Sequence, residues 1–206
     1  MKNKLKKFKW KDLEYRNQKI MKLIPEDVKT ILDIGSKGDI FKRRYQTTTL
    51  DIIEEADIKQ DLNKIQKLNL KDNSFDIVVM NQILEHLPYV EEIIKEAKRV
   101  SKKYIFVGLP NELTYGFRIR FLIGNPAWKG YQPYFHKHFF TIEEIEKFMI
   151  NFFGGYKKKE YLFACSGAKI FPRYIKDFCA NNFPSLCAKE VYYLIDLDKK
   201  NKNEKI

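Results

Sequence analysis

Residues Ile31 to Asp39 read ILDIGSKGD, and the fold turns on this stretch. An apolar run of strand length reaches an acid, Asp33, and is followed by two glycines three apart, Gly35 and Gly38. A buried parallel strand that ends in such a turn lets a ligand approach bare backbone, and the next segment begins with free N–H groups facing that ligand. A turn with two glycines also occurs where packing alone requires it, so its meaning depends on whether further strands stand beyond it at βαβ spacing.

Further strands do stand there. Thr47 to Ile52, TTTLDI, has the β-branched content of a second strand and carries Asp51 eighteen residues beyond Asp33. An acid at the carboxyl edge of the neighbouring strand can accept hydrogen bonds from both hydroxyls of a ribose; the alternative is a surface acid at a strand end. Asp57 to Leu62, DIKQDL, reads as a short third strand closing with Asp61. Phe75 to Met80, FDIVVM, is uninterrupted and apolar, as a strand buried on both faces requires, and Asn81 and Gln82 come after its carboxyl end. A helix is expected from about Tyr89 to Val100, then a fifth strand over Lys103 to Leu109 with Pro110, Asn111 and Glu112 at its edge.

On either side the pattern is less regular. Leu13, Ile20, Met21 and Ile24 fall at helical spacing, so a helix is expected from about Lys11 to Ile24, across the sheet edge or over the ligand pocket. A short helix is expected from Asp39 to Tyr45. Thr141 and Glu144 form a T-x-x-E capping box that opens a helix with Ile142, Ile145, Phe148, Met149 and Phe152 inward. Strands over Tyr156 to Ser166 and Val191 to Leu197, joined by a helix around Pro172 to Asn181, complete the chain.

With 206 residues, 44% of them hydrophobic, the chain suits one well-packed domain spanning 1–206. No window has the length of apolar sequence that a membrane span needs, and the basic start has no apolar segment behind it, so a soluble, unexported, cytoplasmic protein is expected. Cys165, Cys179 and Cys187 are odd in number and lack C-x-x-C spacing; they read as buried small hydrophobes rather than disulfides or zinc ligands. The formal charge of +12 is concentrated at the ends, in residues 1–11 with six lysines and residues 198–206 with four. Such basic tails are expected to be solvated ends, with docking on RNA or an anionic membrane as the alternative.

The series ILDIGSKGD, TLDI, QDL, NSFDIVVMNQILEHL and KEAKRVSKKYIFVGLPNE resembles the class I S-adenosylmethionine-dependent methyltransferases, in particular the ubiquinone-biosynthesis group. The resemblance spans residues 28–112 and implies an α/β, Rossmann-like, doubly wound seven-stranded sheet ordered 3-2-1-4-5-7-6 with strand seven antiparallel. It implies S-adenosylmethionine as cofactor, held by Asp33, Gly35, Ser36 and Gly38 in the glycine loop, by Asp51 and Ile52 at the ribose, by Asp61 and Leu62 at the adenine, and by Asn81. Lys37 and Asp39 stand where the family has further loop glycines, which puts a lysine near the cofactor's positive sulfonium.

His86 and His138 are the candidate catalytic residues. A histidine with an ordinary pKa near 6.5 can take a proton from an acceptor, although His86 in ILEHL can equally well hydrogen-bond backbone. A metal site from Glu85, His86, His136 and His138 is not expected, because neither pair has the i, i+3 or i, i+4 spacing that presents two ligands on one helical face. Residues 114–138 are rich in aromatics, carry Arg118, Arg120, Lys129 and Lys137 and hold no acid. This segment is expected to form a lid over a small or lipid-like substrate, with an extra packed helix or a dimer contact as the alternative. Methyl transfer to an oxygen, nitrogen or carbon of such an acceptor is the expected activity; an RNA methyltransferase and a catalytically silent cofactor-binding protein are the rivals.

Overall fold

Phe75–Asn81 forms β4, and from Asp76 to Met80 it is buried. A strand apolar on both faces must be covered on both, and this one lies in the middle of a sheet with helices on either side. In the computed structural model, which describes residues 2–35, 40–64, 67–124, 136–163 and 172–198 and the side chains among them from Leu13 onward, β4 runs parallel to β1 (Thr30–Ile34) on one side and to β5 (Ser101–Pro110) on the other. Beyond β1 lie β2 (Gln46–Asp51) and β3 (Ile58–Lys59), both parallel. Beyond β5 come β7 (Ala188–Asp196), antiparallel to it, and β6 (Lys158–Phe163), antiparallel to β7. The order is 3-2-1-4-5-7-6, as the family resemblance implied.

Alternate residues of the central strands feed two separate cores, as a period of two dictates. Val78, Met80, Leu32 and Ile34 pack with Ile93, Ile94 and Ala97 of α2 (Val90–Val100) and with Ile145 and Met149 of α4 (Ile142–Phe153). Ile77, Val79, Ile31 and Phe106 pack on the opposite face with Tyr15, Ile20 and Leu23 of α1 (Lys2–Leu23). The buried Asp76 accepts the N–H groups of Lys29 and Thr30, both at 2.9 Å, and so ties the entry of β1 to that of β4. Arg99 of α2 donates to the carbonyls of Leu68 and Leu70 at 3.0 and 2.8 Å, while Glu96 accepts the N–H of Leu68 at 2.7 Å. These bonds clamp the polar turn before β4 onto the sheet.

Several boundaries differ from expectation. α1 starts at Lys2, so the lysine-rich stretch taken for a solvated end is helical; it contains no proline or glycine, and lysine is a good helix former. Leu13, expected on the inner face of this helix, is 46% exposed, and Tyr15 is buried instead. α1 lies across β6 and β7, held by Arg16 on Glu190 at 2.8 Å and by Lys19 and Lys22 on Glu160. Residues 40–45 form a turn rather than a helix, with Tyr45 N–H donating to the Phe41 carbonyl at 3.0 Å. The third strand has two residues because Asp57 is diverted to the backbone N–H and hydroxyl of Thr49, both at 2.8 Å. The 114–138 segment opens with a helix, α3 (Tyr115–Leu122); its residues 125–135 lie outside those described. α5 (Arg173–Asn182) and a short α6 (Pro184–Cys187) precede β7. Cys179 and Cys187 are half-buried rather than buried, and Cys165 lies outside the described residues, as do the basic residues from Lys199 onward. No described helix is long and apolar enough to cross a membrane.

The capping box of α4 is formed in full: Thr141 Oγ1 accepts from Glu144 N–H at 3.2 Å and Glu144 Oε2 accepts from Thr141 N–H at 3.0 Å. Thr141→Ala is expected to lower stability by about 1 kcal/mol, seen as a lower urea midpoint at unchanged slope.

Candidate active site

β1 ends at Ile34, and Gly35 turns the chain with φ of 75°, donating its N–H to the Leu50 carbonyl at 2.8 Å. A Cβ at Gly35 would lie 2.6 Å from Ile83 Cγ1, so glycine is required here for space as well as for its backbone angle. Ser36 and Gly38, with Lys37 and Asp39, lie outside the described residues. Asp33 sits one residue before the strand end, 5% exposed and level with Thr49 of β2. Asp51 closes β2, where its Oδ1 accepts the Ile52 N–H at 2.6 Å, and Ile52 is 55% exposed beside it. Asp61 accepts from the backbone and side-chain amide of Asn63, both at 3.0 Å, which holds its carboxyl below the usual range; Leu62 behind it is buried. Asp33, Gly35, Asp51 and Asp61 thus succeed one another along the carboxyl edge of β1, β2 and β3, as a nucleoside site in this topology requires.

The same edge continues over β4 and β5. Asn81 ends β4, and Gln82 takes a left-handed backbone angle of 57° that turns the chain into a 3₁₀ turn, Leu84–His86. Gly108 of β5 makes room for this exit, since a Cβ there would stand 2.3 Å from Asn81 Oδ1. The carbonyl of Glu85 accepts the N–H groups of Lys137 and His138, at 2.7 and 3.3 Å, which brings His136 over the 3₁₀ turn. Glu112, just past β5, meets Nδ1 of His136. The rings of His86 and His136 have centroids 4.6 Å apart and planes at 82°. Glu85, His86 and His136 together bring ligating atoms within 4.8 Å of one another. Sequence spacing does not show this, because the partners are some fifty residues apart and are joined by backbone hydrogen bonds to a carbonyl. His138 stands apart from that cluster, with Nε2 donating to the Leu87 carbonyl at 2.9 Å.

Among the described residues, the buried side-chain polar atoms without a hydrogen-bond partner are Asn81 Oδ1, Gln82 Nε2, Glu85 Oε2 and Glu112 Oε2. All four lie at the carboxyl edge of β4 and β5. Each such atom costs about 1–3 kcal/mol when left unsatisfied, and an ordered water or a ligand recovers it. Glu85 is 1% exposed, and burial pushes its carboxyl up to about 8, with the carboxylates of Glu112 and Glu190 adding to the rise. Burial also raises Glu112, opposed by His136. Glu112 and Gln82 were visible in sequence only as residues just past strand ends; that position was the signal, and their burial gives it weight.

Residues 32–105 match the methyltransferase domain family. Over that segment the chain is similar to methyltransferase domains. The matched segment contains β1 to β4 and most of β5, and so the row from Asp33 to Asp61. The methyltransferase fold is shared with solved S-adenosylmethionine-dependent methyltransferases. One from Archaeoglobus fulgidus is 20% identical, with TM-score 0.59, over 89% of this chain and 93% of the other. Another from Thermotoga maritima is 18% identical, with TM-score 0.57, over 93% and 95%. A third from Methanosarcina mazei is 20% identical, with TM-score 0.53, over 86% and 95%. Sequence comparison with curated proteins finds no significant match.

Because the folded chain raises the Glu85 carboxyl from 4.5 to about 8, it keeps a proton there that the unfolded chain has already released. Stability from this group therefore falls as pH rises through that window. In chelator-treated protein, Glu85→Gln is expected to flatten the fall, so that between about pH 5 and 8 wild type loses stability relative to the variant in urea titrations.

Proposed function

We propose that the chain methylates a small or lipid-like acceptor seated against the carboxyl edge of β4 and β5, beneath the 114–138 segment, in the manner of the ubiquinone-biosynthesis group that its motifs resemble. The observation that carries this is the row of four unsatisfied buried polar atoms at Asn81, Gln82, Glu85 and Glu112. It lies directly beside the cofactor row, since β4 adjoins β1, and Ile83 fills the space over Gly35. An apolar component of the acceptor is supported by α3 and the residue after it, where Ile119, Phe121, Leu122 and Ile123 are each more than half exposed next to Arg118.

The residues fit S-adenosylmethionine. Gly35 makes the tight turn at the end of β1, Asp51 would accept from the ribose hydroxyls, Asp61 and Leu62 would flank the adenine, and Asn81 Oδ1 is a buried acceptor in want of a donor. When bound, the cofactor supplies a methyl group already activated by its sulfonium. The chain's own work is then alignment, exclusion of water and removal of the acceptor's proton. The cluster of Glu85, His86 and His136 stands beside the acceptor's place at this edge, with Glu112 setting the orientation of His136. His138, bonded to the Leu87 carbonyl, acts as a positioning residue that holds the 136–138 stretch in place. The rival nucleic-acid assignment drew on the basic ends, whose lysine side chains lie outside the described residues.

Calorimetry with S-adenosylmethionine is expected to show one saturable site that Asp51→Ala weakens about 10- to 100-fold, the loss expected for hydrogen bonds to a charged acceptor. With a labelled methyl donor and a cell extract, label should appear in nuclease-resistant material that partitions into organic solvent. Label confined to RNA would reject the proposed acceptor class.

A further inference from the structure

Three ligating side chains from two distant chain segments share one small volume at the carboxyl edge of β4. Glu85 Oε1 stands 3.9 Å from His86 Nε2, and the His86 and His136 rings meet edge to face. Glu85 is 1% exposed, and its other oxygen has no hydrogen-bond partner. Behind His136, Glu112 is 3% exposed, holds the ring at Nδ1 and keeps an unsatisfied oxygen of its own. Among the described residues, the nearby cations Arg16 and Lys189 are bound to Glu190, at 2.8 and 3.2 Å.

We propose that Glu85, His86 and His136 bind a divalent first-row transition ion, with Glu112 orienting His136, and that the ion's open position takes a hydroxyl oxygen of the acceptor. Two imidazoles with a carboxylate suit zinc, manganese, iron or cobalt; magnesium and calcium prefer oxygen alone. Bonds of about 2.0–2.2 Å to a four-coordinate ion put neighbouring donors roughly 3.4 Å apart, so the gap between Glu85 and His86 closes by about half an ångström of side-chain rotation. Glu112 on Nδ1 leaves Nε2 of His136 as the ligand, the usual carboxylate–histidine–metal arrangement. Three protein ligands leave a coordination position open, and the His86 side chain, 37% exposed, marks an entrance from solvent. A hydroxyl held there is acidified by the ion, and its proton leaves to water near neutral pH. The inference narrows the acceptor of the proposed function to a hydroxyl compound and rests on that function for the methyl donor; binding of the ion itself does not depend on it.

The test uses the full chain, stripped with chelator, titrated separately with Co²⁺ and with S-adenosylmethionine by calorimetry, with the visible absorption of cobalt followed in the first case. One saturable Co²⁺ site with the intense bands of four- or five-coordination is expected, weakened about 10- to 100-fold by Glu112→Gln. An unchanged aqueous cobalt spectrum would overturn the site. So would Glu85→Gln and His136→Ala variants that bind Co²⁺ as tightly as the parent; variants that fail to fold leave the decision to the wild-type spectrum. Binding of S-adenosylmethionine without Co²⁺ rejects the ion and keeps the methyltransferase assignment, whereas Co²⁺ binding without S-adenosylmethionine does the reverse.

Discussion

Where a buried parallel strand runs out of neighbours, its polar groups lose the ladder that satisfied them while the apolar layers around them are still dry. That constraint governs this molecule. β4 is shielded on both faces up to Met80, and the next residues, Asn81 and Gln82, are polar and half-buried, each with one buried polar atom left without a protein partner. β1 ends opposite Met80, with Asp33 and Gly35 on one flank, while β5 runs two residues past the partner of Asn81 and carries Glu112 beyond its end on the other. A binding edge is therefore built by the same burial that holds the sheet together.

The two halves of that edge differ in chemistry. Over β1 to β3, acids meet a turn with bare backbone, an arrangement suited to hydroxyls and a nucleobase. Over β4 and β5, carboxylates and imidazoles crowd together, and burial drives Glu85 toward its neutral form. The first half recognises a ligand through hydrogen bonds in place before it arrives. The second half holds charges that need a counter-charge or a proton to be at ease.

Much of the fold was legible because its signals are local. FDIVVM could be nothing but a buried strand, and the intervals between Asp33, Asp51 and Asp61 matched a parallel sheet. Elements failed where six or fewer residues had to decide alone: the segment after Asp39 was too short to nucleate a helix, and Asp57 was drawn off to cap Thr49. The charge run at the start hid a helix because lysine favours helix and solvent alike, and hydrophobic spacing begins only at Leu13. The places of Asp51 and Asn81 at strand ends were readable. The meeting of His136 with Glu85 and His86 was not, since it depends on a carbonyl that receives two N–H groups from a remote segment.

Gly35 and Ile83 lie on adjacent strand exits, and the side chain of Ile83 occupies the room that glycine leaves vacant. The end of β1 and the exit of β4 therefore share one small volume, and a side chain added at Gly35 would be felt first at Ile83: the two positions can change only together.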